Sequence, residues 1–286
     1  MSRSWGAVVL TQGRRPRELR RAIESLHAQR GAKVDVVVVG NGWEPEGLPP
    51  GARGVGLPEN LGIPAGRNAG VAHAGGELLL FLDDDTTLEA GALARFGAMF
   101  AADPRLGLVQ PRVEPLGDGP PPRDWVPRLR VGDRTRSSAL TAVWEGAVAM
   151  PRAVFEEVGG WPAPFVAAHE GIDLAWRVMD AGHRVRYAGD VVARHPAYAV
   201  APHAYSRYLG ARNRVWLARR HLPLPLAVAY VSMFALRTVP LLRSWSQFQE
   251  AARGYRDGLR QPCGERRPLR ARTLWRMTLA GRPPII

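Results

Sequence analysis

Three consecutive carboxylates, Asp83-Asp84-Asp85, end a continuous apolar run over residues 78–82. Packed acids repel one another and lose hydration, so the cluster calls for a cation. A divalent ion with oxygen ligands, carrying a phosphate, fits best. A solvated acidic turn capping a helix near Thr87 would account for the same residues without any chemistry. A second polar stretch, residues 60–70, reads NLGIPAGRNAG. It combines small-residue turns, the guanidinium of Arg67 and the amides of Asn60 and Asn68, which suits a phosphate or a base edge. A third, residues 169–177, holds Glu170 and Asp173 at the opening of a helix, with Arg177 four residues beyond Asp173.

Strands and helices must bring these stretches together. Residues 78–82 are apolar on both faces, so they read as a strand inside a covered, mostly parallel sheet. Open α/β sheets bind ligands at the carboxyl ends of such strands. Residues 5–10 and 34–39 read as two more strands, joined by a helix over 16–29 with Leu19, Ala22, Ile23 and Leu26 at helical spacing. Residues 42–58 read as loop with a short strand near Val55, and 62–74 and 88–100 as helices. Strands at 106–113 and 184–187 and helices at 151–158 and 172–181 follow, while the Pro-, Gly- and Arg-rich stretch 115–133 reads as a mobile loop. Thr11-Gln12, Asn41, residues 60–68 and the acid triplet should then meet at one sheet edge.

Charge divides the chain. From residue 203 onward there are 16 arginines against Glu250, Asp257 and Glu265, which holds the whole formal net charge of +13. Residues 205–220 read as an arginine-rich amphipathic helix, and 222–236 form fifteen residues without a charge. That run is short of the roughly 20 residues needed to span a bilayer, and suits a helix lying in its interface or a buried hairpin. The mixed arginines and aromatics beyond it favour a lipid headgroup zone, and no nucleic-acid motif accompanies them. The single cysteine, Cys263, fits a reducing compartment and leaves no internal disulfide. Residues 7–10 run too short for a secretory apolar segment, so no signal peptide is expected.

A set of short motifs falls in a telling order. They are Val8-Val9-Leu10-Thr11, Val38-Val39-Gly40-Asn41-Gly42, Asn60-x-Gly62-x(3)-Gly66-Arg67-Asn68-x-Gly70 and Phe81-Leu82-Asp83-Asp84-Asp85. Gly146-x(3)-Met150-x-Arg152, Val158-Gly159-Gly160-Trp161, Glu170-x(2)-Asp173-Leu174-x(2)-Arg177, Gly182 and His195-Pro196 follow. Together, over about residues 5–200, they resemble the inverting family 2 glycosyltransferases of GT-A fold.

The resemblance implies an α/β GT-A domain over 1–202, its mostly parallel sheet flanked by helices, with a basic helical extension over 203–286. The nucleotide-sugar half would be about 1–113 and the acceptor half about 134–202. It implies that the triplet is a DxD motif holding Mn²⁺ or Mg²⁺, with Asp85 the chief ligand, Asp83 a second and His195 completing the site. Thr11, Gln12, Asn41, Asn60, Arg67, Asp83 and Asp84 would bind a UDP-, dTDP- or GDP-linked sugar, and Trp144, Glu145 and Gly146 the acceptor. The family's catalytic base comes from a Glu-Asp pair, but the second position here is Gly171. Glu170 is then the preferred base and Asp173 its rival, better suited to capping or pairing with Arg177. Gly40 also departs from the family, which often has an acid facing the base. The implied acceptor is a hydroxyl, lipid-linked or part of a cell-envelope glycan, with a soluble acceptor and a noncatalytic nucleotide-sugar-binding protein as alternatives. The expected location is cytoplasmic, peripherally bound to the inner face of the cell membrane, with no nucleic-acid partner.

Overall fold

Strands this rich in valine and leucine need cover on both faces, and the fold supplies it with helices. The computed structural model describes residues 3–128, 130–197 and 204–284. The first elements are β1 (Ser4–Thr11), α1 (Pro16–His27), β2 (Lys33–Asn41), β3 (Ala52–Leu57), α2 (Ile63–His73) and β4 (Leu78–Asp83). Next come β5 (Thr87–Leu88), α3 (Ala92–Ala102), β6 (Leu106–Pro115), β7 (Ser138–Ala139), β8 (Ala147–Pro151) and α4 (Arg152–Glu157). The chain ends with α5 (Glu170–Asp180), β9 (Arg184–His195), α6 (Ala204–His221), α7 (Leu224–Thr238), α8 (Trp245–Arg260) and α9 (Ala271–Leu279).

The strands form one sheet in the order β3-β2-β1-β4-β8-β6-β9-β5, with β7 also on β9. The first four are parallel, β8 runs antiparallel between β4 and β6, and β6 and β9 are parallel. These strands are buried on both faces, and successive side chains alternate between two clusters. Trp5, Ala7, Val9, Leu78, Leu80 and Leu82 face α1 and α3, whereas Val8, Leu79 and Phe81 share the opposite cluster with Leu174 of α5 and Trp216 of α6. Each such side chain contributes about 1.5–3 kcal/mol by leaving water. α2 lies with its backbone nearly on the sheet. A Cβ at Gly70 would sit 2.5 Å from Val8 Cγ1, and one at Gly66 would sit 2.5 Å from Leu10 Cδ1. That close approach seats Arg67 at the sheet's edge.

Three expectations shift. Leu88 lies in β5, antiparallel to Ala193, and the helix starts only at Ala92, after Gly91 turns the chain at φ 82°. β9 is twelve residues long, because it keeps pairing with β6 as far as Pro115 opposite His195. Residues 115–133 are not featureless: a turn at Arg123–Trp125 buries Trp125.

The boundary expected at residues 202 and 203 lies outside the described residues. Beyond it, α6 is buried around much of its girth through Leu209, Val215, Trp216 and Leu217. Its polar residues are donors to the core. Asn213, fully buried, gives Nδ2 hydrogen bonds to the carbonyls of Phe165 (2.9 Å), Ala167 (2.7 Å) and Ala168 (2.9 Å). Arg212 stacks over Trp216 at 4.1 Å and bonds the Phe165 carbonyl at 3.1 Å. Replacing Asn213 by Ala strands those carbonyls. We expect a loss of about 3 kcal/mol, read as a melting temperature lower by roughly 5–10 °C in a thermal scan of the full chain.

Candidate active site

Parallel registry sets the site. Leu10 pairs with Asp83 and Thr11 with Gly40, so the ends of β1, β2 and β4 lie side by side. The Asp83 amide donates to the Gly146 carbonyl at 2.9 Å, which lays residues 144–146 directly across from the triplet. Asn41 braces the next loop: its Nδ2 donates to Asn60 Oδ1 at 2.8 Å, and its Oδ1 accepts the Leu61 amide at 2.8 Å. Gln12 is exposed beside them.

Each triplet acid has its own partner. Asp83 accepts from Arg67 Nη2 at 2.7 Å, and Arg67 is 1% exposed with its guanidinium 4.9 Å from the Trp161 ring centroid. Asp84 accepts from the Thr11 hydroxyl at 2.6 Å. Burial, and then the charges of Asp85 and Asp83, outweigh that bond and push its carboxyl up to about 6. Asp85 is buried, with His195 Nε2 at 3.2 Å on Oδ1 and an ion pair from Arg15 on Oδ2. Burial would raise its pKa, yet His195 and Arg15 more than reverse this and hold it below the usual carboxylate range.

Asp83, Asp85 and His195 offer ligand atoms that all lie within 4.8 Å of one another. Two carboxylates and an imidazole form a donor set suited to a divalent ion such as Mn²⁺, and the cationic Arg15 already sits against Asp85. His195 is held edge-on between two indoles, 5.3 Å from Trp125 and 5.1 Å from Trp144 by ring centroids. Gln110, wholly buried, ties the two together: it donates to the Trp125 carbonyl at 2.7 Å and accepts the Trp144 amide at 2.7 Å.

Glu170 opens α5 and is 1% exposed. Its pKa is raised, first by burial, and the carboxyl of Glu145 lies within proton-sharing reach. Burial and the charge of Glu170 push Glu145 well up in turn. Asp173, three residues along α5, is fully engaged. Oδ1 accepts from Arg177 Nε at 2.6 Å, while Oδ2 meets His221 Nε2 at 2.6 Å and Arg220 Nε at 3.2 Å. Despite burial, those partners hold its carboxyl far below the ordinary range.

The sequence profile of "Glycosyl transferase family 2" matches residues 7–159, more than half of the chain. The chain belongs to that family. A "Pre-mycofactocin glycosyltransferase" of Mycobacterium tuberculosis is 29% identical over 199 residues, covering 65% of this chain. The chain spans only 38% of that relative's length. Among solved structures, GalNAc-T7 with UDP, GalNAc and Mn²⁺ superposes with a TM-score of 0.65 at 14% identity, covering 91% of this chain and 56% of that one. The mannosyltransferase PcManGT of Pyrobaculum calidifontis, in complex with GDP-Man and Mn²⁺, gives 0.57 at 20% identity, with 91% and 81% covered. TarS of S. aureus gives 0.60 at 14%, with 90% and 81% covered. The GT-A fold is thereby established.

Several site residues escape sequence reasoning. Arg15 lies between Arg14 and Pro16, one of several arginines that read as a solvated helix face; its place just after β1 was the available signal. Trp125 sits in the stretch read as mobile, and Asn213, Arg220 and His221 in the stretch read as an amphipathic tail. His169, immediately before Glu170, takes a left-handed φ of 70° and donates Nε2–H to the Gly210 carbonyl of α6 at 3.1 Å. Burial, then the charge of Arg214, lowers its pKa to about 3. The unfolded imidazole takes a proton as pH falls through about 6.5, and the folded one does not until about 3. Its share of stability is therefore complete above pH ~6.5 and is lost as pH falls, by up to about 1.4 kcal/mol per unit. His169→Asn tolerates the left-handed backbone and cannot titrate. Urea melts between about pH 6.5 and 4 should show a shallower decline in the variant than in the wild type.

Proposed function

We propose that this glycosyltransferase moves a sugar from a nucleoside diphosphate sugar to a hydroxyl acceptor, with inversion, at a membrane surface. The observation carrying the reading is the Asp83–Asp85–His195 donor set at the strand ends, with ligand atoms within 4.8 Å. Neighbours of the same fold are described with UDP or GDP-Man and Mn²⁺, which supports such a donor and such an ion here. When bound, Mn²⁺ or Mg²⁺ supplies positive charge for the departing diphosphate.

The protein's own groups do the rest. Arg15 and His195 keep Asp85 ionised, and Arg67 fixes Asp83 from beneath. The loop braced by Asn41 and Asn60 offers backbone and amide contacts to the nucleotide. Trp144 shapes the side from which an acceptor approaches, next to His195. The acceptor oxygen bonds to the anomeric carbon as the carbon–phosphate oxygen bond breaks on the opposite face. Its proton passes to a carboxylate of the Glu145–Glu170 pair. Asp173 is not that base, since both its oxygens are held by cations.

The membrane part rests on α7 and the turn after it. Leu224–Leu241 is 18 residues of apolar helix, long and apolar enough to cross a bilayer, and only 11% of it is buried. Leu224, Val228, Leu236 and Leu241 are 59–74% exposed, with Arg237 and Arg243 alongside. Such a face partitions into the lipid interface while its arginines meet anionic headgroups, each worth about 1 kcal/mol. A lipid-linked acceptor would then be presented at the surface where the enzyme sits.

Asp85→Ala should abolish the Mn²⁺-dependent part of the thermal shift given by UDP, dTDP or GDP and cut sugar transfer at least ~100-fold. A shift that persists undiminished in the variant would exclude Asp85 as a ligand. Full-length protein should pellet with vesicles containing phosphatidylglycerol, less so as salt rises. Replacing Leu224, Val228 and Leu236 together by Gln should weaken that binding more than ~10-fold, and equal partitioning of both proteins would rule out α7 as the contact.

A further inference from the structure

Where the family carries the second acid of its pair, this chain has Gly171, and the surroundings explain why. A Cβ there would stand 2.4 Å from the Val143 carbonyl oxygen, so no side chain fits without moving backbone. The same Cβ would stand 3.0 Å from Glu145 Oε2. A carboxylate thus does occupy that space, but it arrives from the turn before β8 and not from α5.

Access separates the two glutamates. Glu170 is 1% exposed, and its Oε2 is buried with no hydrogen-bond partner among the described residues. Glu145 is partly exposed. It directly precedes Gly146, whose carbonyl accepts the Asp83 amide at 2.9 Å, so it borders the metal-ligand set. Glu170 lies behind it, further from solvent.

We propose that Glu145 is the carboxylate that receives the acceptor's proton, and that Glu170 is a positioning residue seated behind it. The proposal rests on the transferase reading above. In the step, the acceptor O–H bond breaks and its proton goes to Glu145, while the oxygen's electron pair forms the new bond to the anomeric carbon. The electron pair of the broken sugar–phosphate bond leaves with the nucleoside diphosphate, and Glu145 later returns the proton to solvent. Glu170 shares a hydrogen bond with Glu145 and fixes its rotamer. Burial, first of all, raises both carboxyls. Arg67 is the cation and Asp83 the acid that bear on both.

The test uses the full chain with Mn²⁺ and UDP-, dTDP- or GDP-sugars, reading nucleoside diphosphate release with water as the acceptor. Glu145→Gln should lower kcat at least ~100-fold while the donor KM and the Mn²⁺–UDP thermal shift stay within about twofold. Glu145→Ala should regain part of its rate in formate, a small carboxylate able to enter the vacated space. Glu170→Gln, which can still donate to Glu145, should cost less than ~10-fold, and Glu170→Leu clearly more. A Glu145→Gln rate within about threefold of wild type would overturn the proposal. So would a Glu145→Ala variant that loses the thermal shift together with its activity and ignores formate. If the wild type releases nucleotide from none of these donors, the transferase reading fails and takes this proposal with it.

Discussion

Mutual repulsion among carboxylates governs this cleft. Asp83, Asp84, Asp85, Glu145 and Glu170 crowd the region around the ends of β1 and β4, with Asp173 one turn further along α5, and a partly dry cleft cannot hold them all ionised unaided. The structure answers acid by acid. Asp83 has Arg67, Asp85 has Arg15 and His195, and Asp173 has Arg177, Arg220 and His221. Asp84 has the Thr11 hydroxyl and, at 3.5 Å, Arg15, and the two glutamates have each other with the charge of Arg67 beyond. Burial raises the carboxyls of Asp84, Glu145 and Glu170, while paired cations hold those of Asp85 and Asp173 low.

The second constraint is backbone strain beside Glu170. Val166, Ala168 and His169 adopt φ values of 66°, 70° and 70°, a region that disfavours non-glycine residues by about 1–3 kcal/mol each. The loop keeps this shape because α6 grips it through Asn213, Arg212 and the Gly210 carbonyl. The same loop accepts the Ile63 amide on the Val166 carbonyl at 2.7 Å, so it also fixes the start of α2. One helix from the basic C-terminal part of the chain thereby positions groups on both sides of the cleft.

What could be read in the sequence was local. Continuous apolar runs of valine and leucine gave away the strands, and the triplet, Arg67 and Asn41 could be placed because each ends a strand or opens a helix. The rest needed distant partners. Arginine in α6 reads as solvent-facing until Trp216 and the loop carbonyls are seen to receive it. Glu145 and Glu170 are 25 residues apart in the sequence and look unrelated until Gly171 opens a space between them. Trp125 stands in a stretch whose composition argues for disorder, yet Gln110 and His195 hold it in place.

The grip of α6 on that loop also sets an order on assembly during synthesis. Asn213 is made 45 residues after Ala168, whose carbonyl it holds. A nascent chain therefore possesses its acid triplet well before the loop leading to Glu170 can settle. Competence arrives late, and the residues that bring it, ending at His221, lead within three positions into the greasy face of α7. Maturation of the cleft and emergence of the exposed apolar face of α7 are thus tied to a single stretch of translation.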